Sequence, residues 1–152
     1  MSSSRSLFFG LLCLPLVCAT LPAQTTIQGN VHGTWTSSGN PYYVLADCTV
    51  PGGQALRIDP GVDVVFYEGV SMYVNGQLTA EGTPSQRIRF HALNAEGRWN
   101  TIKVSGNGAA PPSSRFSHCE FTNADTALHF YIQGYRDNLV STEFSESQGT
   151  SS

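Results

Sequence analysis

Apolar and polar residues alternate in short runs along residues 47–145, and turn residues separate the runs. The runs VDVVF (62–66) and IKV (102–104) are typical, with PGG (51–53) and NG (75–76) among the turns. Alternation with a period of two is the pattern of a β-strand that buries one face. Apolar residues at helical spacing are absent from these runs. The pattern therefore predicts an all-β protein.

The same kind of run returns every 22 to 26 residues. The three apolar series are Leu56, Leu78, Ile102 and Leu128; Phe66, Phe90 and Phe116; and Val50, Met72, Phe121 and Phe144, the last passing through a polar stretch near Asn94. Three series at one period indicate three strands per repeat, and a period of this size is typical of stacked arrays. Successive turns of such an array lie about 4.8 Å apart and stack like side chains inside. We therefore expect a parallel β-helix, or solenoid, of about four coils with three short strands per coil.

An antiparallel sandwich or barrel is the main alternative, because it also has short strands and frequent turns. It does not account for apolar series that return in register along the chain. The repeats therefore favour the β-helix.

A family resemblance rests on the same residues. The segments ALRIDPGVDVVFYEGVSMYVNGQLTAEGTPSQRIRFHA (55–92), RWNTIKV (98–104) and SHCEFTNADTALHF (117–130) resemble exported right-handed parallel β-helix repeat proteins of the pectin-lyase-like superfamily. The resemblance covers residues 29–145 and implies right-handed coils and a carbohydrate-rich setting. It implies no reaction, because such repeats occur in lyases, hydrolases, adhesins and proteins with no known activity.

The N-terminus has the layout of a signal peptide. Arg5 precedes the apolar run LFFGLLCLPLVCA (7–19), which is too short to span a bilayer that needs about 20 apolar residues. Small residues suited to cleavage follow, at Ala19 or Ala23. We expect residues 1–23 to be removed and the protein to be secreted or held at the cell surface, with no transmembrane segment. A buried core helix and a lipid anchor on Cys18 are the alternatives.

The chain is mildly acidic, with a formal net charge of −3 over 152 residues. Removal of Arg5 with the signal peptide makes the charge of the mature chain more negative still. Surfaces that bind nucleic acid are usually basic, so nucleic acid is not an expected partner.

Two cysteines, Cys48 and Cys119, lie in the predicted mature chain. The repeat assigns both to one strand series, about three coils apart, which corresponds to a separation of roughly 14 Å. Disulfide-bonded Cα atoms lie within about 7 Å of each other. We therefore expect no disulfide and two free, buried thiols.

The alternation directs Arg57, Thr79, Lys103 and His129 outward as one row, with Arg89 and His91 as a second outward set. In polysaccharide lyases of the resembling type, an outward Arg or Lys abstracts the proton next to a uronate carboxyl group while Ca²⁺ neutralises the developing charge. Arg57, Lys103 and Arg89 are the candidate catalytic residues on this view. The acidic residues that would hold Ca²⁺ are missing from adjacent positions, so a solvated strand face is the competing interpretation and no cofactor is expected.

Other chemistry has weaker support in the sequence. Asp59 and Glu81 fall at equivalent turns and form the best carboxylate pair for glycoside hydrolysis, but both belong to ordinary turn sequences. The histidines are scattered, and the neighbouring residues of SHCE (117–120) would point to opposite faces of a strand. We expect no metal site.

Aromatic side chains on a flat β-face can stack on sugar rings, because they offer an apolar face with a polar edge. Tyr73 should be exposed between inward Met72 and Val74, and Trp99 lies at a strand end. We take Tyr73, Trp99 and His129 as candidate ligand-binding residues for a polysaccharide or a cell-surface glycan.

The two ends of the predicted solenoid differ. Residues 24–46, with Trp35, Tyr42 and Tyr43, are expected to form a lead-in segment that caps the first coil. The repeats at 47–145 run into the polar tail SESQGTSS with no apolar residues to cover a core. A C-terminal cap is therefore expected to be missing from residues 146–152. Edge-to-edge pairing with another chain, a longer parent protein and a frayed end are the alternatives.

These features favour an exported, non-enzymatic β-helix module that serves as an extracellular or cell-surface scaffold with weak carbohydrate binding. The alternative is a fragment of a carbohydrate-active enzyme, either a polysaccharide lyase or a glycoside hydrolase, with an outward-facing site. A truncated reading frame without a function of its own is a third interpretation.

Overall fold

A computed structural model describes residues 24–105, 114–131, 139–140 and 143–145 of the chain. The predicted signal peptide at 1–23 and the predicted polar tail at 146–152 lie outside these residues. None of the helices in the described part is long and apolar enough to cross a membrane.

Short strands make up most of the described chain, joined by turns. The strands are β1 (Thr25–Asn30), β2 (Gly33–Trp35), β3 (Tyr42–Val50), β4 (Ala55–Ile58), β5 (Asp63–Phe66), β6 (Met72–Val74), β7 (Gln77–Glu81), β8 (Ile88–Ala92), β9 (Trp99–Ser105), β10 (Arg115–Ser117), β11 (Cys119–Thr122), β12 (Ala124–Tyr131), β13 (Leu139–Val140) and β14 (Glu143–Ser145). One short 3₁₀ helix, Ser37–Gly39, lies between β2 and β3. The prediction of an all-β protein is confirmed.

Every strand pair within the described residues is parallel. One sheet has the order β12-β9-β6-β3-β5-β8-β11-β14, with β1 added on β3, and the other has the order β13-β10-β7-β4-β2. Strands that are neighbours in a sheet come from successive repeats of the chain, which gives a solenoid-like stack. The antiparallel sandwich considered above is incompatible with these pairings.

The long strand β3 joins two strand series into one sheet. Its first part pairs with β5, through Tyr42 and Val64, and its last part pairs with β6, through Cys48 and Met72. The sheet continues on one side through β5, β8 and β11, and on the other through β6, β9 and β12. The second sheet takes one strand from each repeat. The predicted boundary between a lead-in segment and the repeats, at residue 47, falls inside β3.

The predicted apolar series are correct in part. Leu56 pairs with Leu78, Ile102 with Leu128, and Phe121 with Phe144, as expected from the sequence. The expected link between Leu78 and Ile102 is wrong, because these residues lie in different sheets.

The phenylalanine series is displaced. Phe90 pairs with Val64 on one side and with Phe121 on the other, whereas Phe66 pairs with Ala92. Phe116 pairs with Ala80 in the second sheet. The reason is that the repeats differ in length, because loops of different size join the strands. Successive positions of a ladder are 22 residues apart from Ala55 to Gln77, but 36 apart from Thr79 to Arg115.

Stacked apolar side chains fill the space between the sheets. The ring centroids of Phe66 and Trp99 are 4.5 Å apart, and those of Phe90 and Phe121 are 4.7 Å apart, with nearly parallel planes in both pairs. All four rings are almost completely buried. Burial of this kind contributes about 25 cal/mol for each Å² of apolar surface removed from water. The aromatic stacks therefore hold successive repeats together as well as filling the core.

Two aromatic residues of the lead-in segment, Trp35 and Tyr42, pack against each other. The rings of Trp35 and Tyr42 are stacked with centroids 4.8 Å apart, and both residues are buried. The Tyr42 hydroxyl accepts a hydrogen bond from the Thr36 N–H at 2.9 Å and donates one to the Thr36 carbonyl at 3.0 Å. Residues 24–46 contribute β1, β2 and half of β3 to the sheets, so they belong to the same stack as the repeats that follow.

The two cysteines are buried and free, but they are not in one strand series as the repeat suggested. Cys48 lies on the β6 side of β3, and Cys119 pairs with Ile88 on the β8 side. Burial, with the neighbouring Asp47 carboxylate, raises the pKa of Cys48 to about 12, and burial also raises the pKa of Cys119 to about 12. Both side chains are therefore protonated thiols at neutral pH.

Candidate functional site

The candidate catalytic residues are distributed over different strand series. Arg57 in β4 pairs with Thr79, and Thr79 pairs with Arg115, all in the second sheet. Lys103 in β9 lies in the first sheet. The predicted row of Arg57, Thr79, Lys103 and His129 is therefore wrong, and it divides into two rows on different sheets.

One of these rows brings predicted residues together. Thr49, Tyr73, Lys103 and His129 occupy paired positions on β3, β6, β9 and β12. Their inward neighbours Cys48, Met72 and Ile102 are buried, whereas His129 is exposed and Tyr73 and Lys103 are half-buried. We call Thr49, Tyr73, Lys103 and His129 the outward row. It contains two of the three residues predicted to contact a sugar.

The third predicted residue, Trp99, is fully buried. Its ring stacks on Phe66, and its Nε1–H donates to the Thr122 carbonyl at 2.8 Å. The alternation of inward and outward residues breaks between Trp99 and Ile102, where the ladder with β12 shifts register, and this turns Trp99 inward. Trp99 is therefore removed from the set of residues that can stack on a sugar.

A charged cluster joins β5 to β8. The Arg89 guanidinium Nη2 lies 3.0 Å from Asp63 Oδ2, and the His91 Nε2 lies 2.8 Å from Asp63 Oδ1. His91 Nδ1 lies 2.9 Å from the carbonyl oxygen of Ala92. We call Asp63, Arg89 and His91 the Asp63 cluster. It includes both residues of the second outward set predicted from the sequence.

These contacts favour a charged imidazole. A backbone carbonyl and an ionised carboxylate can only accept hydrogen bonds, so both His91 nitrogens act as donors when both contacts are made. The hydrogen bond to Asp63 outweighs burial and raises the pKa of His91. Burial opposes the ionisation of Asp63, but its hydrogen bond to His91 and the positive charges of His91 and Arg89 lower its pKa. The cluster therefore contains one anion and two cations when His91 is protonated.

A cavity of about 450 Å³ opens beside this cluster. Arg89 and His91 line it together with Glu120, Thr122 and Asn123. Glu120 pairs with Arg89 in the ladder, so Arg89 lies between two acidic positions, Asp63 on one side and Glu120 on the other. The cavity offers hydrogen-bond donors and acceptors to a polar ligand, with nearly balanced charge.

The loop between β8 and β9 forms one wall of the cavity, and we call residues 93–98 the corner loop. The Asn123 side chain donates to the Ala95 carbonyl at 2.6 Å, and Arg98 donates to the Ala124 carbonyl at 3.3 Å. Asn123 itself has a φ of 57°, in the left-handed region that Asn tolerates better than most residues. The next repeat thus anchors the corner loop.

The structure gives little support to the predicted carboxylate pair for glycoside hydrolysis. Asp59 and Glu81 follow the paired residues Ile58 and Ala80, so their equivalence holds. The Asp59 Oδ1 lies 2.8 Å from the Arg57 Nε, so this carboxylate is engaged in an ion pair. Within the part of the chain that the structure describes, no group of three or more His, Cys, Asp or Glu side chains could hold a metal ion.

Comparisons of the chain with protein-family models, with curated proteins and with solved structures find no match.

Proposed function

We propose that the chain is an exported, non-enzymatic, right-handed parallel β-helix module of the pectin-lyase-like type. It serves as an extracellular or cell-surface scaffold and binds carbohydrate weakly through the outward row. The observation that carries this proposal is the alignment of Tyr73, Lys103 and His129 on three neighbouring strands. The parallel, solenoid-like stack of strands supports the scaffold role.

The outward row suits a glycan because of its chemistry. The Tyr73 ring offers an apolar face, and Lys103 and His129 offer hydrogen-bond donors to hydroxyl groups. The row lies on the outer surface of a sheet, so a sugar would bury only one of its faces. Affinity would come from several weak contacts along the stack rather than from one deep pocket.

Replacement of Tyr73 by Ala tests the binding. We expect NMR titration with a neutral glucan oligomer to show a dissociation constant about tenfold higher for Tyr73→Ala and for His129→Ala than for the unchanged chain, because about 1.4 kcal/mol of contact is lost. Arg57→Ala, on the other sheet, is the matched control and should bind as the unchanged chain does. Equal affinities for all four proteins would contradict the role of the outward row.

Export rests on the sequence of residues 1–23. Mass spectrometry of protein collected outside the producing cell should show a new N-terminus after Ala19 or Ala23. Recovery of the intact chain inside the cell alone would refute this part of the proposal.

A second candidate function, a carbohydrate-active enzyme, has one observation in its favour. Arg89, one of the three predicted catalytic residues, shares a cavity with His91 and Glu120. Incubation with polygalacturonate, followed by the ultraviolet absorbance of unsaturated products, tests for lyase activity. Product formation that Arg89→Ala abolishes and Arg57→Ala retains would favour the enzyme over the scaffold.

A further inference from the structure

The three large apolar side chains that stand out as exposed in the described residues lie at equivalent positions of three neighbouring strands, at one corner of the stack. They are Leu45, Tyr67 and Leu93, with 37%, 40% and 42% of their surface exposed. Each directly follows a member of one ladder, formed by Val44, Phe66 and Ala92. We call Leu45, Tyr67 and Leu93 the corner ridge.

Backbone hydrogen bonds fix the ridge in register. The Tyr67 N–H donates to the Val44 carbonyl at 3.0 Å, and the Leu93 N–H donates to the Phe66 carbonyl at 2.8 Å. Neighbouring parallel strands lie about 4.8 Å apart, so the ridge runs roughly 10 Å along the stack. The residues just before it, Val44 and Phe66, are completely buried. The core is therefore already filled beneath the ridge, and the ridge side chains lie outside it on the surface.

A second cavity, of about 600 Å³, adjoins the ridge at Leu93. Glu68, Asn94 and Glu96 line it, with Ala95 and Gly97 of the corner loop. Within the described part of the chain, neither glutamate takes part in an ion pair. The nearest cation along the loop, Arg98, donates to the Ala124 carbonyl instead. The cavity therefore combines an apolar edge with two uncompensated carboxylates.

We propose that the corner ridge and this cavity bind a glycan that contains amino sugars. The apolar C–H face of a sugar ring packs on Tyr67 and Leu93, and its ammonium and hydroxyl groups donate to Glu68 and Glu96. The same carboxylates repel uronates, so the site selects by charge against the acidic glycans. This inference extends the proposed carbohydrate binding to a second surface and rests on it in part.

The size of the surface favours a glycan over a protein partner. A stable protein interface buries about 800 Å² on each partner. Three partly exposed side chains in a single line supply a small part of such an area. One or two sugar rings match the length of the ridge. The anchored corner loop holds the backbone of Glu96 in place before binding, which lowers the entropic cost.

Calorimetric titration at about pH 6, where ordinary carboxylates are ionised, tests the proposal. The probes are short oligomers of glucosamine, N-acetylglucosamine and galacturonate. We expect the glucosamine oligomer to bind best and the galacturonate oligomer to bind worst. The double variant Glu68→Gln/Glu96→Gln should bind the glucosamine oligomer about tenfold more weakly, with little change for the neutral oligomer, because only charge-assisted hydrogen bonds are lost. Tyr67→Ala should weaken both.

The controls separate this inference from the proposed function. Glu81→Gln makes the same chemical change on β7 and should leave all affinities unchanged. All substituted side chains at the corner are exposed, and circular dichroism confirms that each variant folds. Tightest binding of the galacturonate oligomer, or a glucosamine affinity that the double variant keeps, would overturn the inference. Binding of the neutral oligomer that Tyr73→Ala abolishes and Tyr67→Ala keeps would overturn it while the proposed function stands.

Two further outcomes are informative. Absence of binding by every oligomer would overturn the inference, whereas the titration with the neutral glucan oligomer decides the proposed carbohydrate binding separately. The other outcome is that no oligomer binds, whereas a lysine-rich peptide binds to the unchanged chain and not to Tyr67→Ala. This result would assign the corner to a basic protein partner and overturn the proposal of a glycan ligand.

Discussion

His91 connects two repeats through its contact with Asp63. It binds its proton more tightly in the folded chain than in the unfolded chain. Its raised pKa means that the protonated form stabilises the fold, fully so below the unfolded pKa of about 6.5, and that this contribution is lost as the pH rises through the folded pKa. Asp63 has a lowered pKa, so its contribution is present above its unfolded pKa of about 3.9 and is lost as the pH falls through the folded pKa. The cluster therefore stabilises the fold most between about pH 4 and pH 6.5.

Substitution of His91 by Gln tests this residue. We expect His91→Gln to lower the free energy of unfolding by about 1 kcal/mol in the middle of that window, a value limited by the partial exposure of the side chain. The difference should shrink as the pH rises above the folded pKa of His91. Urea denaturation across the pH range measures it, with the exposed His32→Gln as the control. A difference that does not change with pH would contradict the charged state assigned to His91.

The sequence predicted which face of a strand each residue occupies more accurately than it predicted which residue lies beside it on the next strand. Phe66 was aligned with Phe90, whereas Phe90 pairs with Val64, two residues earlier. A shift of two keeps every side chain on its predicted face, because strand side chains alternate with a period of two. It does change the partner across the ladder. For this reason Arg89 and His91 were predicted to point outward, but their shared partner Asp63 was not found.

At the scale of elements, the corner loop depends on one residue of the next repeat. Asn123 adopts a positive φ and donates to the Ala95 carbonyl. We expect Asn123→Ala to lower the free energy of unfolding by about 2 kcal/mol, because the variant loses the hydrogen bond and retains the left-handed backbone at a higher cost. Asn123→Gly loses the same hydrogen bond, but glycine adopts a positive φ readily. This variant should therefore lower the free energy of unfolding by only about 1 kcal/mol.

Hydrogen exchange localises the effect of these two variants. The Trp99 N–H donates to the Asn123 carbonyl, so its exchange should accelerate together with that of the corner loop. Asn75→Ala, at an exposed turn between β6 and β7, is the matched control. Unchanged protection of the corner loop in Asn123→Ala would show that the loop does not depend on this anchor.

Loop lengths explain where the predicted strand series failed. The strands themselves were recognisable from alternation, and the 22-residue step between β4 and β7 gave the correct partners Leu56 and Leu78. The step from Met72 to Ile102 is 30 residues, against 24 from Cys48 to Met72, because the loops on either side of β8 are longer than their counterparts and β9 begins before Ile102, at Trp99. Nothing in the alternation of apolar residues records how many residues a turn contains. The prediction of the candidate site was affected most, because its residues lie next to the loops that differ in length.

At the scale of the whole molecule, contacts run mainly between repeats that are neighbours in the stack. The order of strands in both sheets is therefore the property that a solution experiment should test. Thr79 has Arg115 as its neighbour in the structure, whereas the sequence placed it beside Lys103.

Pairs of nitroxide spin labels distinguish these arrangements. Labels on Thr79→Cys/Arg115→Cys should show strong dipolar broadening, because neighbouring strands lie about 4.8 Å apart. Labels on Thr79→Cys/Lys103→Cys should show much less. Cys48 and Cys119 need no removal, since burial and their raised pKa values keep them from reacting with the label, whereas Cys13 and Cys18 are replaced by Ser in every labelled variant. Stronger broadening for the pair with Lys103 would refute the observed order.

The 22-residue step between β4 and β7 defines one layer of the stack that could be repeated. Residues 55–76 form one layer whose lower edge matches the layer before it and whose upper edge matches the layer after it, since Leu56 pairs with Gly33 on one side and with Leu78 on the other. A second copy of this segment, spliced in after the first, would present the same edges again. The chain thus contains a building block for a rod of chosen length, each added copy lengthening it by about 4.8 Å.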